Sequence, residues 1–219
     1  MKTYKMKLLP QYFNYIKNGT KRLELRLDDK KTMSIFSSTD ALGVKPGEIV
    51  TIMLPACPEE VFLFYAIDQL GACANFIFPG TPLSEVEHTM EEFNSKKLII
   101  LEDILMQPNN LVNNPKYNIV TTSLTGEHKI QGKNIYTWDT FDKLSKYVEM
   151  PIYKRNQEEP LFIAKTGGST GKPKAVVLAD RHFNLQVQQH LNSPSNEILK
   201  QYLFSEVLFA AIYKHLPFS

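Results

Sequence analysis

The chain has 219 residues, 43% of them hydrophobic and 22% charged, with a formal net charge of +2 at neutral pH. That length holds one or two domains with a real core, and the near-balanced charge excludes nucleic-acid binding driven by bulk electrostatics. Two widely spaced cysteines, Cys57 and Cys73, argue against a zinc centre, and the absence of any membrane-length apolar run or apolar leader core sets the expectation of a cytoplasmic protein with no membrane span.

In chain order, Lys5-Met6-Lys7-Leu8 alternates like a strand, and Pro10 to Asn18 predicts a short helix closed by Asn18-Gly19. Lys21 to Leu27 alternates again, with Leu23, Leu25 and Leu27 on one face. Ile49 to Leu54 predicts a buried strand. Pro58 opens a helix whose first turn carries Glu59 and Glu60, where the helix dipole favours them. Val61, Phe62, Phe64, Tyr65, Ile67 and Leu70 are too dense for one amphipathic stripe, so this helix is expected to be largely buried. Phe76 to Gly80 reads as a strand and turn, and Ser84 to Asn94 as a helix with Ser84 and Glu87 forming a capping box. Lys97 to Leu101 is a further strand. Gln107 to Lys116 has four asparagines and two prolines and reads as a loop. Tyr117 to Val120 and Asn134 to Tyr136 predict short strands, and Phe141 to Tyr147 a helix. Trp138 reads as a packing residue, and the histidines as surface or filler. Leu161 to Ala164 and Val176 to Leu178 predict two more strands, with Asp180 capping a helix that starts near Arg181. The alternation predicts a doubly wound α/β fold.

The most telling stretch is Thr166-Gly167-Gly168-Ser169-Thr170-Gly171-Lys172-Pro173-Lys174-Ala175. Glycines at 167, 168 and 171 let the backbone approach a ligand, and successive backbone N–H groups can line an anion-binding concavity. Thr166, Ser169 and Thr170 add hydroxyl donors, and Lys172 and Lys174 add positive charge. No glycine precedes a Gly-Lys-Ser/Thr at the required distance, so the ordinary nucleoside-triphosphatase loop, Gly-x-x-x-x-Gly-Lys-Ser/Thr, is excluded.

This run, followed by Val176-Val177-Leu178-Ala179-Asp180, resembles the phosphate loop of the AMP-forming acyl-CoA synthetases, members of the adenylate-forming superfamily. Nine of ten positions fit the pattern Ser/Thr-Ser/Gly-Gly-Ser/Thr-Thr-Gly-x-Pro-Lys-Gly, with Ala175 replacing the last glycine. Leu42-Gly43-Val44-Lys45-Pro46-Gly47-Glu48-Ile49-Val50 through Leu54-Pro55-Ala56-Cys57-Pro58-Glu59 is similar to a second segment of that family. Phe64-Tyr65-Ala66 and Leu70-Gly71-Ala72 continue it. The resemblance spans residues 34–191 and implies that Thr166, Gly167, Gly168, Ser169, Thr170, Gly171 and Lys174 hold the phosphates of ATP. For the full-length family it implies magnesium, CoA and a carboxylic acid substrate. Nothing in the chain matches the family's later acidic magnesium residue, its adenine and ribose contacts or its C-terminal lid with the catalytic lysine. Residues 32–219 are therefore read as a truncated AMP-binding domain, inactive alone. No catalytic residue and no metal ligand is assigned. Exposed sheet edges are expected to promote self-association.

Residues 1–31 are read separately. Gly19-Thr20-Lys21-Arg22-Leu23-Glu24-Leu25-Arg26 resembles the Gly-x-Lys-x-x-Glu-x-Arg motif of the ASCH domain, a small barrel related to the PUA fold. The resemblance implies a β-α-β segment and a cleft for RNA or nucleotides lined by Lys21, Glu24 and Arg26. A mixed-charge strand face on a half-solvated sheet is the competing reading. A whole barrel needs about 100 residues, so only a partial ASCH-like segment is read here. The tail from Leu208 to Ser219 continues the synthetase or returns to the ASCH pattern, and the first is preferred. A fused or truncated reading frame without settled function is the third reading of the chain.

Overall fold

The apolar runs around Ile52 and Ile99 lie side by side at the centre of a seven-stranded sheet in the computed structural model. The structure describes residues 30–55, 57–123, 125–145, 153–166, 174–183 and 185. The predicted elements of residues 1–29, the end of the helix predicted over Phe141 to Tyr147, and the tail lie outside these residues.

The strands are β1 (Ile49–Met53), β2 (Cys73–Phe76), β3 (Lys97–Leu101), β4 (Asn118–Thr122), β5 (Ile135–Thr137), β6 (Pro160–Thr166) and β7 (Lys174–Ala179). The helices are α1 (Lys30–Ala41), α2 (Pro58–Gln69), α3 (Leu83–Glu92), α4 (Glu102–Leu105) and α5 (Trp138–Asp142). Strand order is β5-β4-β3-β1-β2-β6-β7, all parallel except the β6–β7 pair. From β1 the chain moves one way to β2, then reverses over β1 to β3. Right-handed crossovers in opposite directions place α2 and α3 on opposite faces. Two cores record this. Leu63, Phe64 and Ile67 of α2 pack with Ile35 and Phe36 of α1 and with Trp138 and Phe141 of α5. Leu83, Val86 and Met90 of α3 pack with Leu105, Leu111 and Tyr117 on the other face. The doubly wound α/β reading is therefore the observed fold, and Trp138 is a packing residue.

Several boundaries differ from expectation. The second strand is Cys73–Phe76, and Ile77 to Gly80 form the exit rather than the strand. Asn75 lowers the strand propensity of this stretch, but in the fold its Nδ2 donates to Thr51 Oγ1 at 3.2 Å, and Thr51 donates to Ser95 Oγ at 2.9 Å. Helix α3 starts at Leu83 with Pro82 at the N-cap, so the Ser84–Glu87 capping box does not form. Helix α5 starts at Trp138, three residues earlier than read, because Thr137 accepts a hydrogen bond from the Thr140 N–H. The Gln107–Lys116 stretch is a loop as expected, tied down by Asn109 Oδ1, which accepts from the N–H groups of Leu111 and Val112.

Helix α2 is half-buried or buried at every described position, which fits its unbroken apolar density. It stops at Leu70-Gly71, where Gly71 has φ +74°. The Tyr153 ring lies directly over this glycine, and a Cβ there would sit 2.5 Å from Tyr153 Cγ. Gly71→Ala therefore combines a left-handed backbone penalty with a steric clash. It is expected to cost about 2 kcal/mol, read as a lower urea midpoint with unchanged m-value.

Candidate functional site

Strand β6 runs parallel to β2, so its last residue lies on the edge shared by the carboxyl ends of β1 to β5. Ligands of open α/β sheets bind outside that edge. The chain turns back there and returns as β7, with Thr166 paired to Lys174. The Thr166 hydroxyl donates to the Lys174 carbonyl at 3.2 Å, and both residues are exposed. The structure thus brings the first and last predicted phosphate-loop residues together at the mouth of a hairpin. Gly167, Gly168, Ser169, Thr170 and Gly171 lie outside the described residues. So do Lys21, Glu24 and Arg26.

The hairpin stands on a fixed base. Where β6 begins, Arg155 donates to the Pro160 carbonyl at 2.7 Å, to the Ala72 carbonyl at 2.7 Å and to Asp68 Oδ1 at 2.9 Å. Where β6 ends, Lys165 Nζ donates to Thr89 Oγ1 of α3 at 2.6 Å and lies 3.7 Å from Glu85. After β7, residues 180–183 turn into a helix. The expected cap at Asp180 is corrected by the geometry: the helical turn already includes Asp180, and His182 Nδ1 accepts from the Ala179 N–H at 2.9 Å. His182 is therefore a capping group rather than filler. Phe183 then packs on Phe64 and Phe162, with ring centroids 5.9 and 5.7 Å away.

Two buried carboxyls at the same sheet edge were not singled out as site residues. Glu60, in the first turn of α2, is 2% exposed, and burial pushes its carboxyl up to about 8. It sits on the inward stripe with Leu63, Phe64 and Ile67, a placement the helical spacing contains. Glu102 follows β3 directly. It accepts from the N–H groups of Lys129 and Ile130, and His128 Nδ1 lies 2.6 Å from its Oε2. Burial opposes ionisation of Glu102, but the Ile130 and Lys129 amides and the His128 ring outweigh it and hold the carboxyl below its ordinary range. The reading of the histidines as surface or filler is corrected at His128. A separation of 26 residues along the chain gave no local signal for this contact. It pins the β4–β5 loop to the carboxyl end of β3.

Burial disfavours the thiolate form of both cysteines. Cys73 is buried and Cys57 half-buried, and burial pushes both up to about 12. Among the described residues, no three His, Cys, Asp or Glu side chains cluster to hold a metal ion. None of the described helices is long and apolar enough to cross a membrane.

Residues 39–210 match the family described as AMP-binding enzyme. The chain is 32% identical over 152 residues to an acetyl-coenzyme A synthetase of Yersinia pestis (strain Pestoides F), covering 63% of this chain and 23% of that protein. It is 27% identical over 161 residues to acetyl-coenzyme A synthetase 1 of Candida albicans, covering 67% of this chain and 24% of that protein. The chain therefore spans about a quarter of the length of these relatives. Among solved structures, the anthranilate CoA ligase AuaEII in complex with anthranoyl-AMP superposes with a TM-score of 0.61 at 22% identity, over 72% of this chain and 30% of that one. Acetoacetyl-CoA synthetase from Streptomyces lividans superposes with a TM-score of 0.60 at 20% identity, over 74% of this chain and 27% of that one.

Proposed function

The chain belongs to the AMP-binding enzyme family, and from that premise we propose that its Thr166–Lys174 hairpin holds the phosphates of ATP. The reaction it serves is the activation of a carboxylic acid to an acyl adenylate, the chemistry of the acyl-CoA synthetases it resembles. The observation that carries the reading is the hairpin mouth at the carboxyl edge of the parallel sheet, with Thr166 opposite Lys174. An exposed hydroxyl and an exposed ammonium there, leading into Gly167-Gly168-Ser169-Thr170-Gly171, suit a polyphosphate. Bound ATP supplies the leaving group of the adenylation. This chain's residues supply donors to its phosphates, and the Lys165–Thr89 and Arg155–Pro160 contacts keep the donors in place. Magnesium would arrive with the nucleotide, since it is commonly held by substrate phosphates and few protein carboxylates. CoA and the carboxylic acid are partners of the complete reaction. We assign to this chain phosphate binding and not turnover by itself, a reading supported by its covering 23% of the Yersinia pestis relative.

Titration with a fluorescent ATP analogue tests the assignment. Lys174→Ala is expected to weaken binding about tenfold, the size of one charge-assisted hydrogen bond. Lys116→Ala, which removes an exposed lysine next to Glu91, is expected to leave binding unchanged. Equal affinity in the parent and Lys174→Ala would remove the hairpin from the site. ATP–pyrophosphate exchange with a panel of carboxylic acids should stay at background. Robust exchange that is lost in Lys174→Ala would overturn the assignment of binding without turnover.

A further inference from the structure

The last two residues of β6 send their side chains to opposite faces of the sheet. Thr166 pairs with Lys174, so both lie on the face of Ala164, which packs against the core under α1 and α2. Lys165 lies on the other face, toward α3, where its Nζ donates to Thr89 Oγ1 at 2.6 Å and lies 3.7 Å from Glu85 Oε1. The hairpin mouth therefore carries a lysine on each face. Lys174 is exposed, and the Lys165 side chain is 22% exposed and tied to α3.

The tie is built so that it can be exchanged. The Thr89 hydroxyl has one proton, and it goes to the Glu85 carbonyl 2.7 Å away. Toward Lys165 it acts only as an acceptor. When the ammonium leaves, Thr89 keeps its bond to the carbonyl, so this buried hydroxyl is not orphaned. The Glu85 contact is long and its side chain is 41% exposed, so water can replace the ammonium there. Ion pairs of this kind are weak. A phosphate oxygen is a stronger acceptor for an ammonium than a neutral hydroxyl is. Lys165 directly precedes Thr166, and its flexible four-carbon stem can swing without moving the strand.

We propose that Lys165 is a second cation of the phosphate site, restrained by Glu85 in the free chain and turning onto the polyphosphate as it binds. The proposal rests on the nucleotide reading of the hairpin and adds a control on its affinity. Binding exchanges an ammonium–carboxylate contact on α3 for an ammonium–phosphate contact, so Glu85 holds affinity down. The Thr89 contact braces the hairpin of the free chain, and the bound phosphate takes over from it.

Titration with the fluorescent ATP analogue tests this at about 0.15 M salt, where exposed charges more than about 8 Å apart are largely screened. Glu85→Gln is expected to tighten binding about two- to fivefold, the size of a released surface ion pair. Lys165→Met is expected to weaken it about tenfold, and Glu85→Gln added to Lys165→Met should change nothing further. Glu91→Gln removes the same charge from the same helix, beside Lys116 rather than Lys165, and should leave binding unchanged. The Glu85 and Glu91 variants alter partly exposed side chains, so their comparison decides the matter even where Lys165→Met folds poorly. Weaker or unchanged binding in Glu85→Gln overturns the inference and leaves Lys165 as a brace alone. Equal tightening by Glu85→Gln and Glu91→Gln, or tightening that persists without Lys165, also overturns it, because general repulsion then explains the effect. Equal affinity in the parent and Lys174→Ala removes the nucleotide reading and this inference together. A loss in Lys174→Ala beside an unchanged Glu85→Gln removes this inference alone.

Discussion

Glu60→Gln is expected to make the protein more stable at pH 7, by about 2–4 kcal/mol. Glu60 is 2% exposed and forms no hydrogen bond or ion pair with another described residue through its carboxyl. Burial alone raises it to about 8, against about 4.3 in an unfolded chain. Between these values the folded protein holds a proton that the unfolded chain has released. Stability is therefore highest below the unfolded value, falls as pH rises through the interval, and levels off once the folded carboxyl also ionises. The two values set a ceiling of about 5 kcal/mol on the loss, and water reaching the site reduces it. Glutamine has the same shape and no charge to desolvate, so it removes the slope. Urea unfolding of parent and variant at pH 4, 6 and 8 should show curves that nearly meet at pH 4 and separate progressively above it. Parallel curves would mean that the carboxyl is ionised and compensated in the folded state. The first-turn position that favours a negative charge through the helix dipole is thus opposed by desolvation, and desolvation is the larger effect.

The same residue shows how far the sequence could be read. Its place in the first turn of α2 followed from Pro58, and its inward direction is implicit in the spacing to Phe64 and Ile67. Its energetic character depends on the sheet and α1 packing over it, which no local pattern states. The strands Ile49–Met53 and Lys97–Leu101 were legible because central parallel strands are apolar on both faces. The second strand reads from Phe76 in the sequence and is observed over Cys73–Phe76, where the side chain of Asn75 finds its partner in Thr51 on the neighbouring strand. The glycine-rich run pointed to phosphate chemistry, and register pairing adds that Thr166 and Lys174 face each other. Contacts between distant segments, Glu102 with His128 or Asp68 with Arg155, leave no periodic trace. They arise where loops return to the sheet edges.

Arg155→Ala is expected to cost about 3–5 kcal/mol, the range for breaking a buried charge pair from one side. The Arg155 side chain is 7% exposed and Asp68 is 35% exposed. Water can therefore replace part of what Asp68 loses, which places the effect toward the lower end. The carbonyls of Asp68 and Ala72, in part-buried contacts with the same guanidinium, have less recourse, whereas that of the exposed Pro160 can turn to water. The fork of Arg155 ties the carboxyl end of α2, the residue before β2 and the first residue of β6 into one unit. A lysine offers a point charge without that geometry, so Arg155→Lys should recover less than half of the loss. Asp68→Asn keeps the shape and the three carbonyl contacts and should cost less than Arg155→Ala. Urea midpoints of the three variants order these contributions, and an Arg155→Lys variant as stable as the parent would assign the effect to charge alone. Because Pro160 begins the strand that Thr166 ends, the loosened variant should also bind the ATP analogue more weakly at temperatures well below its melt. Tyr153, whose N–H donates to the Gln69 carbonyl at 2.9 Å, remains a second tie between this segment and α2. The loss at the hairpin should therefore be partial, and combining Arg155→Ala with Gly71→Ala should cost less than the sum of the two, since a segment loosened by the first change lets Tyr153 move off residue 71.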